Sequence, residues 1–188
     1  MEDSVKEVPR EYFLLPVYYF GAVAEVSRER VYAYELYQLR NRPGNDFTPF
    51  ILSGEVDKRM HILFRDHAHL NLSKPDLLLH IPGLVEGDFI VMEIKRLETV
   101  AASPTTLEID LRKLSLMVSD RYLNYYRGIY IIYGANEGRM VEFGRQCQLI
   151  IEREANKKLI NLNAIDLYYH ESIEKGMMKL PWEDILQK

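Results

Sequence analysis

Residues 74–96, KPDLLLHIPGLVEGDFIVMEIKR, constrain the fold more than any other part of this chain. Two apolar runs flank residues 82–88, PGLVEGD, whose composition is typical of a tight turn. A hairpin centred in this turn would place Asp76 opposite Glu93, with their Cβ atoms about 4.5–5.5 Å apart. Two carboxylates at that separation repel one another unless a cation or a proton lies between them.

A lysine completes this acidic pair. Lys95 lies two residues beyond Glu93, so the two side chains project from the same face of the strand. The pattern of Pro75-Asp76 followed by Glu93-Ile94-Lys95 resembles that of the PD-(D/E)xK nuclease superfamily, which has the restriction-endonuclease-like fold. The resemblance implies that Asp76, Glu93 and the carbonyl of Ile94 bind Mg²⁺, for which Mn²⁺ could substitute. It also implies that Lys95 orients the attacking water and stabilises the phosphate charge.

The remaining chain predicts elements in an order that fits this resemblance. Apolar periodicity and stop signals predict helices over residues 22–41, 105–119 and 138–156. Strands are predicted over residues 50–58, 77–81, 89–96, 128–134 and 163–170, and residues 60–64 extend the first of these or pair back onto it. Residues 1–21 are predicted to be irregular or extended, and no element is assigned after residue 175. The order predicts an α/β fold with a restriction-endonuclease-like core, in which helices flank both faces of a mixed central sheet.

The length of 188 residues suits a single domain over residues 1–188, and the resemblance covers roughly residues 22–160 of it. Ser103-Pro104 is a start signal for the helix over residues 105–119. The doubly apolar run at 128–134 predicts a central strand that is buried on both faces.

Glu35 interrupts the apolar face of the first predicted helix. It shares that face with Val31 and Leu39 at a spacing of four residues, where a carboxylate is costly to bury without a partner. Many members of the superfamily carry a glutamate on the first core helix that reaches the metal, so the resemblance implies that Glu35 completes the metal shell. The alternative is a structural role, in which Glu35 lies at the edge of the face and pairs with Arg30 or Arg40.

Two further residues have open interpretations. Glu55 points to the active face of the strand over residues 50–58, or it is a solvent-facing residue near the strand end. Lys113 lies on the helix after the Glu-x-Lys strand, where the superfamily often places a basic residue facing the scissile phosphate. A solvated helix face is the alternative for Lys113.

Charge and cysteine content limit the partners and the location. The net charge is −4, whereas strong nonspecific DNA binding requires an excess of basic residues. A bound cation would add local positive charge. The single cysteine, Cys147, predicts a reducing compartment and a packing role in a helix. The apolar run at 12–24 is too short to span a bilayer, and the residues before it lack the positive charge of a signal peptide. We therefore expect a cytoplasmic protein with no membrane partner.

The sequence predicts a Mg²⁺-dependent nuclease that hydrolyses the phosphodiester bonds of DNA, with Glu35, Asp76, Glu93 and Lys95 as catalytic residues. One alternative is a nuclease-like scaffold with weak or lost catalysis that binds nucleic acid or assembles proteins. Another is that the substrate is RNA or an unusual nucleic-acid structure, which the sequence does not separate from duplex DNA because no helix-turn-helix, zinc finger or RNA-recognition motif is visible. A homodimer would present two such sites to two strands, but nothing in the chain demonstrates an interface.

Overall fold

The computed structural model describes residues 15–19, 22–26, 29–40, 49–54, 75–81, 88–119, 125–134, 137–172 and 174–186. Its strands are β1 (Leu15–Tyr19), β2 (Ala22–Val26), β3 (Ile51–Gly54), β4 (Leu77–His80), β5 (Asp88–Arg96), β6 (Arg127–Tyr133), β7 (Ile165–His170) and β8 (Met177–Leu180). Its α-helices are α1 (Glu29–Arg40), α2 (Leu97–Ala102), α3 (Pro104–Met117), α4 (Glu137–Glu152), α5 (Glu154–Lys157) and α6 (Trp182–Leu186). A short 3₁₀ helix, Leu162–Ala164, precedes β7.

Six of the strands form one mixed sheet in the order β3-β4-β5-β6-β7-β8, and β1 and β2 form a separate antiparallel pair. The strands β3, β4 and β5 make an antiparallel meander, β5, β6 and β7 run parallel, and β8 returns antiparallel to β7. Helices flank the sheet on both faces. The predicted α/β class with a mixed central sheet is therefore confirmed.

The two faces of the sheet are covered by different hydrophobic clusters. Side chains alternate between the faces of a strand, so that Val91 belongs to one cluster and Met92 to the other. Helix α1 covers the face of Met92, and its buried residues there are Tyr32, Ala33 and Leu36. Helices α2, α3, α4 and α6 cover the face of Val91, and they contribute most of the larger cluster. Strand β6 is consequently buried on both faces, as the sequence predicts.

The hairpin of β4 and β5 has the predicted register close to the acidic pair. Leu77 pairs with Met92 and Leu78 with Val91, and the backbone N–H of Asp76 donates to the carbonyl of Met92 at 3.1 Å. This register places Asp76 beside Glu93. A shift of one residue follows Leu79, far enough from the acidic pair to leave its alignment intact.

Residues 22–26 were predicted as the start of a helix, and that prediction is wrong. They form β2, which pairs with β1, and α1 begins only at Glu29. The sequence AVAEV contains alanine and glutamate, which favour helices, but β-pairing with the preceding strand outweighs this weak local preference. Strand β3 ends at Gly54, and the predictions for residues 55–58 and 60–64, including Glu55, lie outside the described residues.

The helices after β5 follow local signals more closely. Helix α3 begins at Pro104, and the Ser103 hydroxyl accepts the backbone N–H of Thr106 at 3.4 Å as its N-terminal cap. Helix α2 was not predicted, because it is short and directly continues β5. The predicted helix over residues 138–156 is divided into α4 and α5, and β8 and α6 lie in the unassigned tail. Within the described residues, no helix combines the length and the apolar character needed to span a bilayer.

Gly144 provides a test of the packing of α4 against α6. A Cβ atom at this position would lie 2.7 Å from the backbone oxygen of Ile185. Alanine normally stabilises a helix by about 1 kcal/mol relative to glycine. Here we expect Gly144→Ala to lower the free energy of unfolding by about 1–3 kcal/mol, because the clash with backbone forces the helices apart. Urea denaturation followed by circular dichroism measures the change.

Gly54→Ala is the matched control, since the nearest atoms to its added Cβ lie at 3.8 Å, which is ordinary contact. We expect a change of less than about 1 kcal/mol for this variant. A Gly144→Ala protein as stable as the wild type would contradict the close packing of α4 and α6.

Candidate active site

The first part of the site is a carboxylate held at the start of β4. Asp76 Oδ2 accepts the backbone N–H of Ile94 at 2.8 Å, which fixes the carboxylate against the neighbouring strand β5. The predicted meeting of Asp76 with Glu93 and Lys95 is therefore present. The sequence folds this way because the two apolar runs pair about the intervening turn residues and bring their polar ends together.

Lys95 lies at the centre of the site and contacts several oxygens. Its Nζ donates to Glu29 Oε1 at 2.7 Å, to the Ile94 carbonyl at 3.0 Å and to Asp76 Oδ2 at 3.3 Å. Glu93 Oε2 lies 3.7 Å away. Burial alone would lower the pKa of Lys95, but Asp76 and Glu93 outweigh it and hold this pKa above its ordinary value. Lys95 is therefore a cation at every physiological pH.

Glu93 is the most deeply buried charged group of the site, with 1% of its side chain exposed. Lys113 Nζ, on α3, lies 2.5 Å from Glu93 Oε1. That contact is an ion pair by distance, but Oε1 has no donor with hydrogen-bond alignment among the described residues. Burial raises the pKa of Glu93 to about 8, with Lys113 opposing the rise and Asp76 adding to it.

Helix α3 brings a further carboxylate that the sequence interpretation did not assign to the site. Asp110 is 5% exposed, and its Oδ2 accepts a hydrogen bond from the Tyr130 hydroxyl at 3.2 Å. Tyr130 pairs directly with Glu93 in the register of β5 and β6, which explains why the two residues share the site. Burial raises the pKa of Asp110, while the nearby Lys95 and Lys113 lower it. A signal for Asp110 exists in the sequence: it lies three residues after Leu107 on the buried face of α3.

Helix α1 contributes Glu29 to the site, whereas the sequence predicts Glu35 as the residue of this helix that reaches the metal. Glu29 is in the first turn of α1 and forms the 2.7 Å ion pair with Lys95. Glu35 lies six residues later, roughly 9 Å further along the helix axis. It is 4% exposed and has an interaction partner, but the contacts described at Asp76, Glu93 and Lys95 do not include it. The predicted metal role of Glu35 stays a prediction.

The donor atoms of the site suit a hard divalent cation. Glu29, Asp76, Glu93 and Asp110 supply four carboxylates, against the two ammonium groups of Lys95 and Lys113. If all six groups are ionised, two negative charges remain, which one Mg²⁺ would balance. The carboxylates instead face the lysines, and among the described residues no three acidic, histidine or cysteine side chains are arranged to hold a metal. The residues thus fit Mg²⁺ in chemistry and charge, but a bound ion would require the lysines to rearrange.

Open space adjoins the site. A cavity of about 80 Å³ is lined by Glu29, Arg30, Ala33, Tyr34 and Asp76, and it is large enough for ordered water. A larger cleft of about 400 Å³ lies at the other edge of the sheet and includes Trp182 in its lining. That cleft shares no residue with the site, and its cations Arg127 and Lys179 both pair with Asp166.

Comparison of the chain with protein-family models, with curated proteins and with solved structures found no match. The geometry of the residues themselves therefore carries the assignment of the site.

Glu93 gives the metal-free protein a measurable pH dependence. Its pKa rises from 4.5 to about 8 on folding, so over this interval the folded state retains a proton that the unfolded state has released. The free energy of unfolding therefore falls as the pH rises from about 5 to 8. Glu93→Gln should reduce this fall by up to about 1.4 kcal/mol per pH unit, the limit for one proton. Chemical denaturation in the presence of a chelator across this pH range measures the difference.

Glu142→Gln serves as the control. The pKa of this partly exposed carboxylate is lowered to about 2, first by its hydrogen bond with Arg145, so it does not titrate above pH 5. We expect its slope to match that of the wild type. If Glu93→Gln also shows the wild-type slope, the raised pKa of Glu93 is wrong.

Proposed function

We propose that this protein is a metal-dependent nuclease that hydrolyses the phosphodiester bonds of DNA. The observation that carries the proposal is the meeting of Asp76, Glu93 and Lys95 at the adjacent ends of β4 and β5. Burial of several ionisable groups around one point, with perturbed pKa values, is more typical of a functional site than of a purely structural one.

The chain supplies oxygen ligands of the kind that Mg²⁺ prefers. Asp76, Glu93 and the Ile94 carbonyl would hold Mg²⁺, or Mn²⁺ in its place, and the cavity beside Asp76 leaves room for the waters that Mg²⁺ retains. When bound, the metal lowers the pKa of a coordinated water and offsets the negative charge of the phosphate.

Lys95 contributes charge and orientation. Because its pKa is held above the ordinary value, the ammonium is not a general base at neutral pH. It acts instead as a donor that orients the attacking water and stabilises the charge that develops on the phosphate oxygens. Asp76 and Glu29 fix its position through the ion pairs at 3.3 Å and 2.7 Å.

The second candidate function is a nuclease-like scaffold that binds nucleic acid or other proteins without cleaving. One observation favours it: the lysines already neutralise the carboxylates that would bind a metal, so the cluster is self-consistent without one. An RNA substrate remains a further alternative. A cytoplasmic location and a homodimer that acts on two strands complete the proposal, and the buried free thiol of Cys147 fits a reducing compartment.

Cleavage of labelled nucleic acid tests the proposal directly. We expect the wild type to cleave DNA only with Mg²⁺ or Mn²⁺, and Asp76→Asn, Glu93→Gln and Lys95→Met each to lower the rate at least about a hundredfold. Single-stranded, duplex and branched DNA and the matching RNAs should be compared, with products resolved on denaturing gels.

Lys157→Met is the matched lysine control, because Lys157 is exposed and pairs within its own helix with Glu154 at 2.6 Å. It should retain the wild-type rate, and circular dichroism should show that every variant is folded. Absence of cleavage on all substrates, together with absence of Mg²⁺ binding in calorimetry, would exclude the nuclease and favour the scaffold.

Glu29→Gln and Glu35→Gln separate the two carboxylates of α1. We expect Glu29→Gln to lower the cleavage rate several-fold, since it weakens the ion pair that positions Lys95. Glu35→Gln should retain activity but lower the free energy of unfolding by about 1–3 kcal/mol, because it alters a buried polar interaction. Cleavage rates and urea unfolding of both variants measure these effects. Loss of activity in Glu35→Gln but not in Glu29→Gln would support Glu35 as the metal ligand that the superfamily resemblance implies.

A further inference from the structure

The contact between Lys113 and Glu93 places an ammonium against an oxygen of a proposed metal ligand. Lys113 Nζ lies 2.5 Å from Glu93 Oε1, and both side chains are largely buried, with 11% and 1% exposed. An ammonium at this distance excludes a metal ion from the same oxygen. We propose that Lys113 is a displaceable cation that occupies Glu93 in the metal-free site and is released when a divalent metal binds. This inference rests on the proposed metal-dependent function.

Lys113 is better placed for release than Lys95. Lys95 donates aligned hydrogen bonds to Glu29, to Asp76 and to the Ile94 carbonyl, so its removal would break three contacts at once. The contact of Lys113 with Glu93 lacks hydrogen-bond alignment at Oε1, so at this oxygen the attraction is one between charges. Charge attraction of this kind is what a divalent cation, with twice the charge, can replace.

Asp110 is placed to accept the released ammonium. It lies three residues before Lys113 on α3, a spacing at which side chains are neighbours on the helix surface. The Tyr130 hydroxyl holds Asp110 in position, and Lys113 is already close enough to influence its carboxylate electrostatically. Lys113 can therefore leave Glu93 without becoming a buried charge that has no counter-ion.

The charges of the cluster make the exchange favourable. Within the described group of six side chains, four carboxylates (Glu29, Asp76, Glu93 and Asp110) face the ammonium groups of Lys95 and Lys113, which leaves an excess of two negative charges when all six are ionised. Divalent metal at Glu93 removes this excess, while Lys113 stays within the cluster beside Asp110. One cation is thus added, and no buried charge is lost.

Amine labelling of the intact wild-type protein tests the release. The protein is treated with formaldehyde and borohydride, with and without Mg²⁺, and each lysine is quantified by mass spectrometry, while calorimetry on the same sample measures Mg²⁺ binding. We expect Mg²⁺ to change the labelling rate of Lys113 several-fold, because its nearest carboxylate changes from Glu93 to Asp110. Lys95 is the internal comparison, since its side chain has a similar exposure of 12% but has three hydrogen-bond partners. Exposed Lys157 reports any general effect of Mg²⁺ on the reagent.

The outcomes separate this inference from the proposed function. Mg²⁺ binding with a several-fold change in the labelling of Lys113, larger than that of Lys95, supports both. Mg²⁺ binding with unchanged labelling of Lys113 overturns the release and leaves the metal site intact. Absence of Mg²⁺ binding overturns both.

Lys113→Met gives an independent measure by calorimetry. Removal of the competing ammonium should tighten Mn²⁺ binding by about tenfold at a pH high enough to ionise Glu93, and Lys95→Met should not tighten it to the same degree. Asp110→Asn, which removes the acceptor for the released lysine, should weaken Mn²⁺ binding. Unchanged or weaker binding in a folded Lys113→Met protein would contradict competition for Glu93.

Discussion

The burial of Glu93 in a central strand is the constraint on which the rest of the site depends. A carboxylate with 1% of its side chain exposed cannot stay charged without cations close to it, and two lysines approach it from different elements. Lys95 comes from the same strand and Lys113 from the helix packed on that face. The position of α3 against the sheet is therefore tied to the ionisation of one buried residue.

Each of those lysines then requires carboxylates of its own. Lys95 lies among Asp76, Glu93 and Glu29, and Asp110 lies near both lysines under the hydroxyl of Tyr130. The result is a network that joins β4, β5, β6, α1 and α3, so the polar contacts fix how these elements sit around the end of β5. Apolar packing on both faces of the sheet encloses Glu93 and Asp110, whereas Glu29 and Asp76 line the open cavity at the edge of the network.

The sequence predicted the parts of this network that depend on local pairing. Asp76 and Glu93 could be placed beside one another because a turn-rich segment separates two apolar runs, and the register follows from the position of that turn. Glu29 could not be placed, because the start of α1 depends on β2 pairing with β1 rather than continuing as helix. Asp110 was missed although it interrupts the apolar face of α3, the same signal that drew attention to Glu35. The contact of Lys113 with Glu93 depends on how α3 crosses the sheet, which no local pattern specifies.

The energetics of the cluster bear on whether it is structural or functional. Buried ion networks often contribute less to stability than apolar residues of the same volume, because desolvation offsets the charge attraction. A core that needed only stability at this position could use the aliphatic residues found elsewhere along β5 and α3, such as Val91 and Leu111. Here the raised pKa values of Glu93 and Asp110 show that burial still opposes their charges after the lysines are counted. A divalent metal of the kind proposed above would stabilise the charged forms of these two carboxylates, and this is the physical reason for proposing a metal-dependent site here and not a purely structural one.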